Sequence, residues 1–362
     1  MIQITEPTLL LNEDICRANI QRMVEKAQHH SLQFKPHMKT HQSADIGEWL
    51  REAGVEAITV SSVTMASFFA QQGWSDITIA FPCNLREVEA INQLAEEVDL
   101  TLLVNAPETA QRLQKELASP VSVYIELDTG SERTGLPTTN ITGIEKLIAI
   151  FEDSDVLQWK GFYSHPGHSY SARSVEDIRR IHQSVLDRIN TLKSALNMNA
   201  DVYEICIGDT PCCSKGTDFS GIDAISPGNF VFYDLMQAQI GSCASSDIAT
   251  AVACPIVDRY PDRRQIAIYG GAIHFSKESI EMDGIAHYGL VAKPADQGWS
   301  KLDKGTYLAG LSQEHGIVQC SPASFEQFQI GDVVTVLPVH SCLTAQLLGE
   351  YQLPSGQKIS QF

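Results

Sequence analysis

Residues 76–127 read DITIAFPCNLREVEAINQLAEEVDLTLLVNAPETAQRLQKELASPVSVYIEL. Three short apolar runs, at 76–80, 99–104 and 121–127, are separated by two longer amphipathic stretches, 85–96 and 107–118. Short runs rich in Ile, Val and Leu fit strands buried on both faces, and the stretches between them fit crossover helices. A repeated strand–helix–strand rhythm builds a parallel sheet, because the chain must return to the same end before the next strand can pair.

The rhythm continues in both directions. Upstream lie runs at 32–37 (LQFKPH) and 56–60 (EAITV); downstream lie 157–163 (LQWKGFY), 202–207 (VYEICI) and 222–226 (IDAIS). Further amphipathic stretches cover 140–152 and 174–197, and a first helix opens near Asn12, an N-cap type, with Ile20, Met23, Val24 and Ala27 on one face. Eight strands with helical crossovers predict an α/β fold, a (β/α)8 TIM-type barrel over residues 12–245. An open doubly wound sheet is the alternative, but no GxGxxG follows the first strand.

Beyond residue 245 the pattern changes. The runs TAVACPIVD, RQIAIYG, HYGLVAK, GDVVTVLPVH and AQLLGEYQL read as strands between Gly, Pro and Asp turns. Residues 246–362 therefore predict a mainly β domain. Residues 1–11 are assigned to it, since a strand ahead of the first barrel helix has no place in the barrel.

Of 362 residues, 43% are hydrophobic and 19% charged, enough for a sizeable core. The formal net charge of −18 argues against nucleic acid or anionic membrane as a partner. No apolar run reaches the roughly 18–20 residues of a membrane span, and MIQITEPTLLLNED lacks the features of a signal peptide. Nine cysteines, an odd count without a CxxC pair, do not resemble a disulfide framework, so a reducing cytoplasm is the expected compartment.

Several strand ends carry groups able to do chemistry. In KPHMKTH (35–41), strand alternation sets Lys35, His37 and Lys39 on the face opposite Leu32 and Phe34. An inward lysine at the C-terminal end of a barrel strand is placed for amine chemistry; the alternative is a solvated basic strand end. After the seventh strand comes IGDTPC, with Gly208 and Thr210. After the eighth comes SPGNFVFYD, with Gly228 and Asn229 ahead of a helix-like VFYDLMQA. Phosphate is commonly held by those two loops of a TIM barrel. With Lys39 on the first strand, a phosphorylated aldehyde is the economical ligand. GFYSHPGHSY after the sixth strand offers Tyr163, His165, His168 and Tyr170 to flank a ring or move protons. IELDTGSERTG ends the fifth with Asp128 and Arg133, the latter either touching the cofactor or bracing a loop. In PVHSCL, His340 and Cys342 stand at i and i+2, on one face of an expected strand, and imidazole with thiolate suits zinc.

Taken together, KPHMKTHQS, FYSHPGHSY, IGDTPC, SPGNFVFYDLMQ and PVHSC, in this order and spacing, resemble the D-serine dehydratase and D-threonine aldolase family, fold-type III pyridoxal-phosphate enzymes related to alanine racemase. The resemblance covers nearly the whole chain. It implies an alanine-racemase-like barrel with a β domain, working as a homodimer on a small D-amino acid, and Lys39 as the catalytic, cofactor-bearing lysine. His37, Arg133, Tyr163, His165, Tyr170, Thr210, Gly228 and Asn229 are the implied cofactor contacts. His340 and Cys342 are the implied ligands of a divalent metal, zinc first and manganese or magnesium otherwise. The implied activity is lysis of a β-hydroxy D-amino acid, with dehydration ahead of retro-aldol cleavage and racemisation as the third option. Lys35, Met65, Ser67 and Tyr269 depart from the residues common at those places in the family, which leaves the substrate less constrained than the cofactor.

Overall fold

The computed structural model describes residues 3–197, 203–295, 298–300, 303 and 305–362. It divides into two compact units, one formed by Gln21–Gly228 with Phe362, the other by Met1–Ile20 with Asn229–Gln361.

The first unit holds eight parallel strands: β1 (Gln33–Phe34), β2 (Ala57–Val60), β3 (Asp76–Pro82), β4 (Asp99–Leu103), β5 (Val121–Asp128), β6 (Leu157–Ser164), β7 (Glu204–Ile207) and β8 (Ala224–Ile225). From β2 to β8 each pairs with the next in chain order, and β8 pairs with β1. A bridge from His37 to Thr59, with the Thr59 amide donating to the Pro36 carbonyl at 2.9 Å, joins the end of β1 to β2 and closes the ring. All eight expected strands are present, so the barrel predicted from alternation is the observed fold. The first residue of the expected 202–207 run lies outside the described residues. The expected helices are also there, as Val88–Ala95, Pro107–Glu116, Ile141–Glu152 and Val175–Ala195. The barrel interior is filled by side chains from successive strands, among them Leu103, Tyr124, Tyr163, Cys206 and Ala224.

One expectation at the first strand is corrected. Alternation does not reach Lys39, because extended pairing stops at His37 and Met38–Thr40 wind into a 3-10 turn. The His37 ring holds that turn by accepting the Lys39 backbone N–H at 3.3 Å. Met38 and Thr40 are fully buried, and Lys39 reaches its surroundings from the turn rather than from a strand face.

In the second unit, β9 (Thr250–Tyr260), β10 (Gln265–Tyr269), β11 (Gly289–Ala292), β12 (Tyr307–Leu311), β13 (His315–Gln319) and β14 (Val333–Pro338) form an antiparallel ring. Its order is β10-β13-β12-β11-β14-β9, and β9 pairs back to β10. The N-terminal strand Thr8–Leu11 runs antiparallel along β9, with Leu9 opposite Val252, so the segment before the first helix does join the β domain. The unit begins at Asn229, earlier than residue 246, because the segment after β8 is tied to it: Met236 N–H donates to the Val339 carbonyl at 3.2 Å.

Three local readings change here. The AQLL part of AQLLGEYQL is helix, Ser341–Leu348, closed by Gly349 in the left-handed region at φ 71°, and only Glu350–Gln352 is strand. Pro338 ends β14, so His340 and Cys342 are not strand neighbours: His340 caps that helix and Cys342 lies in its first turn. VFYDLMQA is not one helix, since Tyr233 turns left-handed (φ 48°) and Asp234 starts a new helix at Leu235–Gln239. Among the described residues no helix is long and apolar enough to cross a membrane.

Candidate active site

The C-terminal ends of the barrel strands gather most of the residues singled out in the sequence. His37 and Lys39 follow β1; Glu126 and Arg133 end or follow β5; Tyr163 and His165 end or follow β6. Gly208 and Thr210 follow β7, and Ser226 and Gly228 follow β8.

Burial and cationic neighbours set the charge of this cluster. Burial, reinforced by the positive charges of Lys39 and Arg133, holds the His37 ring well below the usual imidazole range. The same influences, with burial first, bring His165 down to about 3. Both rings are therefore neutral at physiological pH. Their tautomers follow from their partners. The Gly208 carbonyl can only accept, so His165 donates through Nδ1 and keeps a lone pair on Nε2. His37 accepts at Nδ1 and so carries its proton on Nε2. One ring presents an acceptor and the other a donor.

Below them, the Tyr163 hydroxyl donates to Ser226 Oγ at 3.4 Å, which donates to Thr59 Oγ1 at 2.8 Å, which donates to the Lys35 carbonyl at 3.0 Å. Burial raises the Tyr163 phenol far above its ordinary range, so it stays protonated. Tyr170 lies against His165, ring centroids 6.2 Å apart and tilted by 31°. Arg133, half exposed, stands 3.9 Å from Glu126. That buried carboxylate is already engaged by Asn105 Nδ2 (3.0 Å) and the Thr134 hydroxyl (2.7 Å). Asp128 accepts the amides of Gly130, Ser131 and Glu132, an Asx-type turn that shapes the Arg133 loop. Glu126 and Asn105 were not singled out in the sequence; an acidic residue near the end of a barrel strand was the available signal.

The turns after β7 and β8 fit a phosphate-bearing ligand on one observation. Thr210 is fully buried, yet its Oγ1 has no hydrogen-bond partner within the protein. A buried hydroxyl without a partner is costly, and a bound group that accepts from it removes the cost. The glycines beside it admit no side chain. A Cβ at Gly208 would overlap the Tyr163 hydroxyl and stand 3.0 Å from the Ser226 carbonyl, and one at Gly228 would come within 3.1 Å of the His37 carbonyl and of Thr40 Oγ1. Gly208→Ala is accordingly expected to lower stability by about 1–3 kcal/mol through overpacking. It should also weaken binding of a phosphate-bearing ligand. Urea denaturation and titration of the purified variant with such a ligand measure the two effects.

Asn229 belongs to the β-domain unit, where its side chain donates toward Asp234, Ser341 and Cys342. In that unit His340 accepts the Leu343 amide at Nδ1 over 3.3 Å, and Cys342 is half-buried. Imidazole and thiol in one tight turn suit a borderline-soft divalent ion. No group of three His, Cys, Asp or Glu able to hold a metal converges among the described residues.

Comparison with known proteins finds relatives along nearly the whole chain. A D-serine dehydratase of Dictyostelium discoideum is 28% identical, over 96% of this chain and 92% of its own length. A D-threo-3-hydroxyaspartate dehydratase of Delftia sp. is 25% identical over 97% and 94%, and its solved structure covers 99% of this chain and 98% of its own with a TM-score of 0.90. The structure of D-threonine aldolase from Filomicrobium marinum shares the fold at 18% identity, covering 98% of this chain and 94% of its own with a TM-score of 0.82. The family model for a serine dehydratase domain matches residues 249–353. The model for the alanine racemase N-terminal domain matches residues 11–235, well over half of the sequence, and the chain belongs to that family.

Proposed function

We propose that this protein is a pyridoxal-phosphate- and metal-dependent lyase that eliminates water from a β-hydroxy D-amino acid, D-serine or a 3-hydroxyaspartate, to give an α-keto acid and ammonia. One observation carries the reading. Lys39 stands among neutral imidazoles at the barrel end where the buried Thr210 hydroxyl has no partner within the protein. The dehydratases named above, which align along nearly all of the chain, support the reaction class and the choice of substrates to try.

Bound in this pocket, pyridoxal phosphate supplies an electron sink for charge developing at the substrate Cα. The Thr210 hydroxyl and the backbone at Gly208 and Gly228 would hold its phosphate, and Lys39 Nζ would be its covalent anchor. With that group bound, Lys39 Nζ would be positioned to take a proton from the substrate Cα. His165 Nε2 accepts a hydrogen bond and His37 Nε2–H donates one, so the pocket orients polar groups without adding charge. Arg133 supplies a cation for a carboxylate. His340 and Cys342 would hold a divalent ion, whose chemistry would be that of a Lewis acid. The sulfur ligand favours zinc over magnesium or manganese, which prefer oxygen donors.

Incubation with D-serine, D-threonine and D-threo-3-hydroxyaspartate, with and without a chelator, tests the proposal. The expected products from the first or third are keto acid and ammonia, at a rate that falls by about 10²-fold or more when the metal is stripped. Glycine with an aldehyde would replace dehydration by cleavage. Racemisation that persists in the chelator and in His340→Ala would overturn the lyase reading.

A further inference from the structure

Three buried polar side chains in the β-domain unit surround the His340–Cys342 turn and take no part in the steps above. Asn229 is 6% exposed, and Asp234 and Ser341 are 1% exposed. Asn229 Nδ2 lies 2.8 Å from Asp234 Oδ2, 3.0 Å from Ser341 Oγ and 3.5 Å from Cys342 Sγ. An amide nitrogen carries two hydrogens, so one is given to Asp234 and the other is shared between the hydroxyl and the sulfur. The carboxylate can only accept, which decides the orientation of the amide: Nδ2 must face Asp234, and Oδ1 is left buried without a partner.

Asp234 does more than orient Asn229. Its Oδ2 also accepts the Ser341 amide at 3.0 Å and the Ser341 hydroxyl at 3.3 Å, and its Oδ1 accepts the Gln237 amide at 2.9 Å. One buried carboxylate thus binds the segment after β8 to the backbone of the residue that separates His340 from Cys342. The left-handed Tyr233 just before it turns the chain so that Asn229 and Asp234 reach the same turn.

We propose that Asn229 and Asp234 are positioning residues for the Cys342 sulfur. Asp234 fixes the backbone at Ser341 and with it the spacing of the two ligands. Asn229 aims the sulfur by donating an N–H to it and disperses part of the charge it bears as a ligand. This role rests on the metal reading of His340 and Cys342. It differs from the cofactor contact that sequence resemblance implies for Asn229. Partners that orient a ligand in this way typically contribute 10–100-fold to metal affinity.

The test uses the full-length, metal-stripped protein and cobalt(II), whose thiolate charge-transfer absorption reports the sulfur ligand directly. The wild type is expected to show the band, and Cys342→Ala to lose it. Asn229→Ala should keep the band with cobalt affinity weakened 10–100-fold, and should retain pyridoxal phosphate as the wild type does. Unchanged cobalt affinity in Asn229→Ala overturns the proposal, and doubly so if that variant loses the cofactor instead. Should Asn229→Ala fail to fold by circular dichroism, Asn229→Ser, polar but too short to reach the sulfur, replaces it. A several-fold weakening of cobalt affinity supports the proposal and none overturns it. A wild-type protein without the thiolate band overturns the metal reading along with this one, a result distinct from a normal wild type with an unaffected variant.

Discussion

Lys39→Ala is expected to lower turnover by about 10⁴-fold or more and to abolish the visible absorbance of lysine-bound pyridoxal phosphate, with little change in stability. The two halves of this expectation have separate causes. In the proposed reaction the amine would be both the covalent anchor and the group that takes the Cα proton, so its loss would remove both functions. Its carbon stem, in contrast, is not a core element. The buried members of its turn are Met38 and Thr40, and the turn is held through the Lys39 backbone amide, which alanine retains. A change at such a position typically moves stability by less than about 0.5 kcal/mol. Absorbance spectra and urea denaturation of the same preparation check both halves. A Lys39→Ala protein that keeps the band would remove Lys39 from the site and leave the barrel assignment standing.

How much of this was readable beforehand depends on the range of the interactions involved. Strands at 57–60, 76–82, 99–103, 121–128 and 157–164 were legible because a parallel barrel buries both faces, so each reads as a local apolar run. Asn12 was legible for the same reason, a local signal: its Oδ1 accepts the Ile15 amide at 3.1 Å. The errors fell where a single side chain or dihedral overrides periodicity. His37 and His340 both cap short turns through Nδ1, and histidine is not among the residues from which a cap is ordinarily read. Gly349 did announce the end of a helix, and Ala345, Gln346, Leu347 and Leu348 ahead of it are better helix formers than strand formers. Asp234 likewise announced a helix start, accepting the Gln237 amide. The partnership of Asn229 with Cys342 spans more than a hundred residues and leaves no trace in either motif.

The same non-local character hides the largest expected stability effect. Replacing Lys35 by Met is predicted to cost about 3 kcal/mol or more, and replacing Glu204 by Leu in the same protein is predicted to recover most of it. Lys35 has no exposed surface; its Nζ lies 2.5 Å from Glu204 Oε1 and 3.0 Å from the Tyr124 hydroxyl, which donates to the same carboxylate oxygen at 2.5 Å. Lys160 approaches the other oxygen at 3.8 Å. Burial alone would push the Lys35 ammonium toward neutrality, yet it is held above the ordinary lysine range by the negative charge beside it. Cys206, also adjacent, is a neutral thiol pushed up to about 12, so that charge is the carboxylate's. Burial works against the charged form of Glu204 as well, and Lys35 leads the groups that overcome it and keep the acid ionised. Removing the lysine leaves a carboxylate in the barrel with one distant cation and a phenol, and the cost is the desolvation of an uncompensated charge. Removing both ends substitutes apolar volume for an ion pair, which is often neutral in a packed interior. Lys160, a quarter exposed, can turn its ammonium to water once Glu204 is gone. Denaturation midpoints of the wild type, both single variants and the double variant close the cycle. A Lys35→Met cost below about 1 kcal/mol would show that the network is solvated and not part of what holds the barrel together.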